Sequence, residues 1–371
     1  MTREDNPPVP ASSECVVVGA GISGLAAAWA LRRRGREVLV LDQAPIGHEG
    51  GGSHGSCRIF RLGYDDPFYV ALVVQARRPW EELEDTCGER LLFPTPQLTF
   101  GPRLPQVLAA MTAAAAACEL LPAAEAAARY PVVAVTGDVL VESGSAVIAA
   151  DRALACLASL AGPAGTVRTG VRVSALADDG RAVLVRTSDG DIEAGRVIVC
   201  AGPWTARLLA TAGVSLPASA TMEQVAYLEP SSGSATPTTM PIFVHYGAVF
   251  PYGVPVPGSP CYKIGIHHSG PPVDPDHQDR TADDGLSKRI EEAARTFLPG
   301  FDPRPVAAER CIYDDTPDTD FVIDRIGNIV IGSGSSGHGF KFGPLVGEWL
   351  ADLAINGTAG AIPARFALSR F

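Results

Sequence analysis

Residues 15–42 read CVVVGAGISGLAAAWALRRRGREVLVLD. The run 15–18 is apolar and largely β-branched, as a buried parallel strand requires. Gly19, Gly21 and Gly24 follow as G-x-G-x-x-G. Strong helix formers then fill 25–34, and Gly35 is a natural stop. Residues 38–41 read as a second strand ending in Asp42, close to the expected gap of about 20 residues. Gly19 permits the tight turn, Gly21 lets a pyrophosphate approach the backbone, and Gly24 permits close helix–strand packing. The helix N-terminus offers N–H groups to phosphate, and Asp42 can accept from ribose hydroxyls. Together these elements predict a dinucleotide site. Asp42 disfavours a 2′-phosphate and hence NADP. The motif alone leaves FAD and NAD open.

The unit lies in a chain of 371 residues, long enough for two domains. With 46% hydrophobic and 19% charged residues, global disorder is excluded. The formal charge of −11 argues against nucleic acid or an anionic membrane as partner. Eight cysteines are scattered without a CxxC pair or close His spacing, so neither a disulfide framework nor a metal site is expected. The first residues are polar and Pro-rich, unlike a secretory leader. Stretch 231–262 lacks charge, but Pro and Gly interrupt it too often for a span of about 20 helical residues. The expectation is a reduced, cytoplasmic, soluble protein.

Further along, residues 47–57 form a Gly/Ser/His loop, followed by Arg58 and Arg61. On a helical turn these two arginines would share a face. Residues 104–129 are Ala-rich and read as one or two surface helices. Strands are expected near 169–174, 182–187 and 196–200, with a helix start after Pro203. Residues 230–262 read as short strands and turns, and 284–297 as an exposed helix. A strand at 328–331, a Gly/Ser loop at 332–339 and a helix at 343–355 close the pattern. Strand–helix units thus recur near the start, near residue 200 and near the end. A nucleotide domain assembled from several segments, with a substrate domain inserted, follows.

Seven spaced pieces carry a resemblance: VVVGAGISGLAAAWAL (16–31), GSHGSCRIFRLGY (52–64), VIVCAGPW (197–204), YGVP (252–255), KIGIHH (263–268), CIYDDTPDTDFVID (311–324) and GSSGHGFKF (334–342). In this order they resemble the D-amino-acid-oxidase-like flavoproteins, and more narrowly the monomeric sarcosine oxidase and N-methyltryptophan oxidase family. The resemblance implies an α/β (mixed α+β) fold, with a Rossmann-like FAD-binding domain and an inserted mixed-sheet substrate domain. The corresponding boundaries are a disordered tail at 1–13, an FAD-binding domain at 14–85, 146–215 and 312–371, and a substrate domain at 86–145 and 216–311. It implies oxidation of a secondary or cyclic amino acid to an imine, with O2 reduced to H2O2. The partners would be a small amine and O2, and the protein a monomer.

Residue by residue, Cys311 matches the cysteine bonded covalently to the flavin. Lys263 matches the lysine that stabilises charge on O2 as it takes electrons. His267 lies in the same segment, near substrate. Arg61 and Lys341 match the two cations that hold the substrate carboxylate. Arg58 matches an arginine near flavin and substrate, and Tyr252 and Tyr313 match pocket tyrosines. Ser53 and His54 belong to the loop that contacts the flavin, as do Gly337 and Gly339 in the C-terminal loop. Val173 matches a backbone contact to the adenine half. The run Leu-Gly-Tyr after Arg61 departs from the family's His-Ala-Tyr type, and Cys57 replaces a threonine before Arg58. The divergent 105–150 region leaves a second reading open: a tailoring oxidase acting on a larger carboxylate-bearing amine.

Overall fold

The computed structural model describes residues 9–231, 240–357 and 362–371. Ser12–Val18 is an interior strand of an eight-stranded sheet. It begins inside the expected 1–13 tail, because Ser12 and Ser13 already pair with Glu193 and Ala194. Residues 1–8 of that tail lie outside the described residues. Leu39–Asp42 and Gly190–Val199 flank the strand in parallel, and Val167–Thr169 and Ile329–Ser333 extend the parallel set on either side. Five parallel carboxyl ends therefore line one edge, where open α/β sheets place their ligands. The hairpin of Val173–Asp178 with Val183–Thr187, and the strand Val322–Ile326, complete the sheet antiparallel.

Helices Ile22–Arg33 and Gly343–Asn356 pack together on one face. Side chains at Gly343 and Gly347 would strike Ile22 and Ala26, so glycine sets the close approach. Arg34 pairs with Glu348 at 2.6 Å and Asp352 at 3.0 Å on the outside of this contact.

A second eight-stranded sheet runs Ala307–Asp315, Ser219–Leu228, Tyr262–Ile266, Pro251–Pro255, Ile242–His245, Gln97–Phe100, Val139–Glu142, Glu119–Leu121. Its pairings are antiparallel except Ile242–His245 with Gln97–Phe100. Helix Asp284–Phe297 matches the expectation and buries Leu286, Ile290, Ala294 and Phe297. Asp283 caps it by accepting from Leu286 N–H at 2.8 Å.

Three expectations are corrected. Arg58 lies in a strand, Cys57–Phe60, paired with Ala146–Ala149, not on a helical turn with Arg61. Helix Leu104–Ala113 and helix Ala123–Arg129 are separated by the strand Glu119–Leu121, and the first buries Leu104, Val107, Ala110 and Met111. The region near 169–174 splits into two strands, with Val173 opening the second. Helix Pro67–Cys87, 21 residues long, was not expected. Asp66 caps it and Gly88 stops it at φ +69, but Pro79 breaks its reading from within.

Among the described residues no helix is long and apolar enough to cross a membrane, and no His/Cys/Asp/Glu group is placed to hold a metal ion. All eight cysteines are free.

Candidate active site

One continuous cleft is lined by every residue singled out from the sequence except Gly24, which sits behind its floor. Gly19 has φ +105, and a side chain there would collide with the Cys200 carbonyl. A side chain on Gly24 would collide with the Gly19 carbonyl. The turn therefore lies flush on the end of a neighbouring strand. Gly21 precedes the helix without a side-chain cap, and the first turn holds no acidic residue. The positive helix end is thus left facing the cleft. Ser53 accepts from the Ile22 N–H at 3.1 Å. Asp42 accepts from Ala20 N–H at 2.7 Å and Ala44 N–H at 2.9 Å, which leaves acceptor capacity on each oxygen. Val173 lines this same end.

The other end holds charge. Lys263 is buried, with Nζ 3.5 Å from the Cys57 carbonyl. Burial, then Arg58, lower its pKa. Arg58 donates to the carbonyls of Cys57 at 2.9 Å, Gly52 at 3.1 Å, and His54. His54 Nδ1 lies 2.8 Å from the Gly51 carbonyl, and burial, then Arg58, lower its pKa. Cys311 stands on the neighbouring strand, its thiol pKa raised by burial while Arg58 and Lys263 pull the other way. Tyr252 neighbours Tyr313, and the Tyr313 hydroxyl lies 3.3 Å from His267 Nδ1. Burial, then His268 and Arg61, push the His267 pKa well below the usual histidine value, so its ring is neutral.

Arg61 and Lys341 are 9% and 5% exposed, and both meet Tyr64. Arg61 stacks over the Tyr64 ring at 4.2 Å and donates to Tyr246 Oη at 2.6 Å and to the Gly63 carbonyl. Lys341 donates to Tyr64 Oη at 3.0 Å and to the His338 carbonyl at 2.8 Å. Burial, then Arg61, drive the Lys341 pKa well below the usual lysine value. His338 is held neutral, its pKa lowered to about 3 by burial and then Lys341. Its Nε2 lies 3.2 Å from the Thr319 carbonyl, an acceptor only, so Nε2 carries the proton. Nδ1 then accepts from Tyr64 Oη at 3.1 Å, and Tyr64 accepts from Lys341. Among the described residues neither Arg61 nor Lys341 has a carboxylate in ion-pair contact. Buried charges are normally paired, so the two leave positive charge at this end of the cleft without an ion-pair partner among the described residues.

Arg58 and Arg61 serve different ends of this region, which a strand position explains and a shared helical face does not. The departure Leu-Gly-Tyr also has a reason. A side chain on Gly63 would collide with the carboxylate of Glu142, which is fully buried. Glu142 accepts from Leu62 N–H, Gln97 Nε2 and Ser145 Oγ, each at 2.9 Å, and so clamps the backbone after Arg61. Tyr64 and His338 lay inside quoted stretches without a role. Tyr246, Glu142, Tyr227 and Glu309 carried no signal in the sequence.

The glycine turn, the helix end and Asp42 fit a dinucleotide, and the cleft continues past them to buried cations. Gly337 lies flush on the Tyr313 ring, where a side chain would collide, so this loop also presents bare backbone. A fold and cleft of this kind define a flavin-dependent oxidoreductase. The description "FAD dependent oxidoreductase" matches residues 14–353, and the chain belongs to this DAO family. It is 32% identical to peroxisomal sarcosine oxidase from Homo sapiens, over 96% of both chains. Monomeric sarcosine oxidase from Arthrobacter sp. is 31% identical, again over 96% of both. Among solved structures, NikD, "an unusual amino acid oxidase essential for nikkomycin biosynthesis", superposes with a TM-score of 0.86 at 28% identity, covering 96% of this chain and 98% of that one.

Proposed function

We propose that this protein oxidises a secondary or cyclic amino acid (sarcosine-like, N-methyl or imino acid) to its imine, with O2 reduced to H2O2. One observation carries the reading: Arg61 and Lys341 are buried, converge on Tyr64 and lack a carboxylate partner among the described residues. When bound, FAD would supply two-electron redox chemistry between the amine and O2. Gly19, Gly21, Asp42, Ser53, His54, Val173, Gly337 and Gly339 would hold it.

In this reading Arg61 and Lys341 grip the substrate carboxylate. The amino group then faces neutral His267, with the cations Arg58 and Lys263 across the cleft. Those charges disfavour an ammonium, so the free-base amine binds. The rate should therefore rise with pH through one substrate-linked ionisation. Lys263 stabilises negative charge developing on O2. Tyr252 and Tyr313 orient His267, and Cys311 would hold the cofactor covalently. For that bond the Cys311 thiol must ionise, and Arg58 and Lys263 assist against burial. The sarcosine oxidases among the relatives favour a small amino acid over a larger tailoring substrate. Eight free cysteines support a reducing, cytoplasmic setting, and the monomeric relatives support a monomer.

The test is an anaerobic titration of the flavin-loaded enzyme with sarcosine, proline, pipecolate and N-methyl amino acids. Dimethylamine and pyrrolidine serve as carboxylate-free controls. Bleaching by the acids alone is expected; equal bleaching by the controls sinks the carboxylate grip. Acid precipitation should leave the yellow colour in the pellet for wild type and in the supernatant for Cys311→Ala. Colour in the supernatant for both removes the covalent link.

A further inference from the structure

The chain holds three lysines among its 30 basic residues: Lys263, Lys288 and Lys341. Two of them lie buried in the cleft, while Lys288 is exposed on helix Asp284–Phe297. Almost everywhere else the chain uses arginine. An arginine stays charged without help, whereas a buried ammonium does not. Something must keep Lys263 a cation.

Three adjacent strands supply the candidate. Lys263 on Tyr262–Ile266 pairs directly with Tyr227 on Ser219–Leu228. Its Nζ lies 5.6 Å from the Tyr227 ring centre. The Tyr227 hydroxyl donates to Glu309 Oε2 at 2.8 Å. Glu309 lies on the next strand, Ala307–Asp315, two residues before Cys311 and on the same strand face. The ends of Arg58, Glu309 and Lys263 gather round Gly55: a side chain started there would meet Arg58 Nη1 at 3.3 Å, Glu309 Oε2 at 3.5 Å and Lys263 Nζ at 3.7 Å.

We propose that Glu309, fixed by Tyr227, is a positioning residue that holds the Lys263 ammonium protonated in the cleft. The groups around Lys263 divide by sign. Burial and Arg58 work against its charge, while Cys57, Glu309 and, as a free thiol, Cys311 favour it; once Cys311 is bonded to the cofactor it no longer ionises. His54, the remaining titratable neighbour from the loop before Cys57–Phe60, is itself pushed toward neutrality, and Tyr227 contributes its ring face. Among these groups Glu309 is the only carboxylate. The role rests on the functional reading only in its consequence, that reaction with O2 persists to higher pH.

The two claims separate experimentally. In flavin-loaded enzyme carrying 13Cε-lysine, three signals report the three ammonium groups. In Glu309→Gln the Lys263 signal should titrate about one pH unit lower than in wild type, since an opposite charge nearby has been removed. Lys288 and Lys341 should titrate unchanged. Glu309→Asp keeps the charge and should titrate near wild type. Tyr227→Phe keeps the ring, frees the carboxylate and should shift Lys263 by less in the same direction. That second variant decides the matter if Glu309→Gln does not fold. An unmoved Lys263 signal overturns the proposal. The pH at which flavin reoxidation slows should fall in step with the signal. If Lys263 shifts and reoxidation does not, the hold of Glu309 on Lys263 stands and the oxygen role of Lys263 falls.

Discussion

The two ends of the cleft are built on opposite principles. At the nucleotide end, Gly19, Gly21, Gly24 and Asp42 act through backbone and one carboxylate, all within one short strand–helix–strand unit. At the other end, Arg61 just after Cys57–Phe60, Lys263 in Tyr262–Ile266 and Lys341 in the turn Phe340–Phe342 come from three distant segments, and all three side chains are buried, with neutral His267 beside them. The first end relies on short-range backbone geometry, with Asp42 bracing the turn through Ala20 and Ala44 N–H and Ser53 reaching in from outside the unit. The second strains against burial, and in the proposed reading its cations are compensated by the substrate carboxylate. Recognition of a common cofactor needs only local geometry; selection of one substrate needs unpaired charge held in place by distant segments.

That contrast can be broken by mutation. Gly24→Leu should have the largest effect, with little or no folded, flavin-loaded protein recovered, since a side chain there meets the Gly19 carbonyl. Normal expression with bound flavin would contradict the close packing. Lys263→Met should slow flavin reoxidation by about 100-fold or more, with modest change in anaerobic reduction. Equal oxygen reactivity in both proteins would remove the lysine from that step.

Lys341→Met should weaken a carboxylate inhibitor by about 30-fold, the scale for truncating one partner of a buried charge pair. It should also raise Tm slightly in the absence of that ligand. The sign follows from linkage. The folded-state pKa of Lys341 lies below its unfolded value, so the penalty is full below the folded pKa, shrinks as pH rises above it and is gone once pH passes the unfolded value. The Tm gain should therefore shrink at high pH; a gain independent of pH would point to packing alone. Asp42→Ala should have the smallest effect, roughly tenfold in flavin affinity measured in a Cys311→Ala background. Unchanged affinity would mean that Asp42 only braces Ala20 and Ala44.

Legibility follows the same division. The unit at 15–42 and helix Asp284–Phe297 were readable because strand runs, glycines, caps and helical periodicity are local signals. Helix Pro67–Cys87 was not, although Asp66 and Gly88 mark its ends, because Pro79 interrupts the pattern that would join them. Arg58 misled because two arginines three apart suit a helix, while pairing with Ala146–Ala149 makes the segment a strand. Glu142 was invisible: its partners Leu62 and Gln97 lie 80 and 45 residues away.

The order of residues along the chain determined by itself the glycine turn, the flanking strands, the acid that ends them and the family pieces, since each depends on neighbours a few positions apart. Which charges would be buried, which would lack a counter-ion, and that Tyr64 would join Arg61 to Lys341 while Tyr227 joined Glu309 to Lys263, only tertiary structure decided. Electrostatic free energy depends on distance and burial, and both are set when segments more than 200 residues apart close on one cleft.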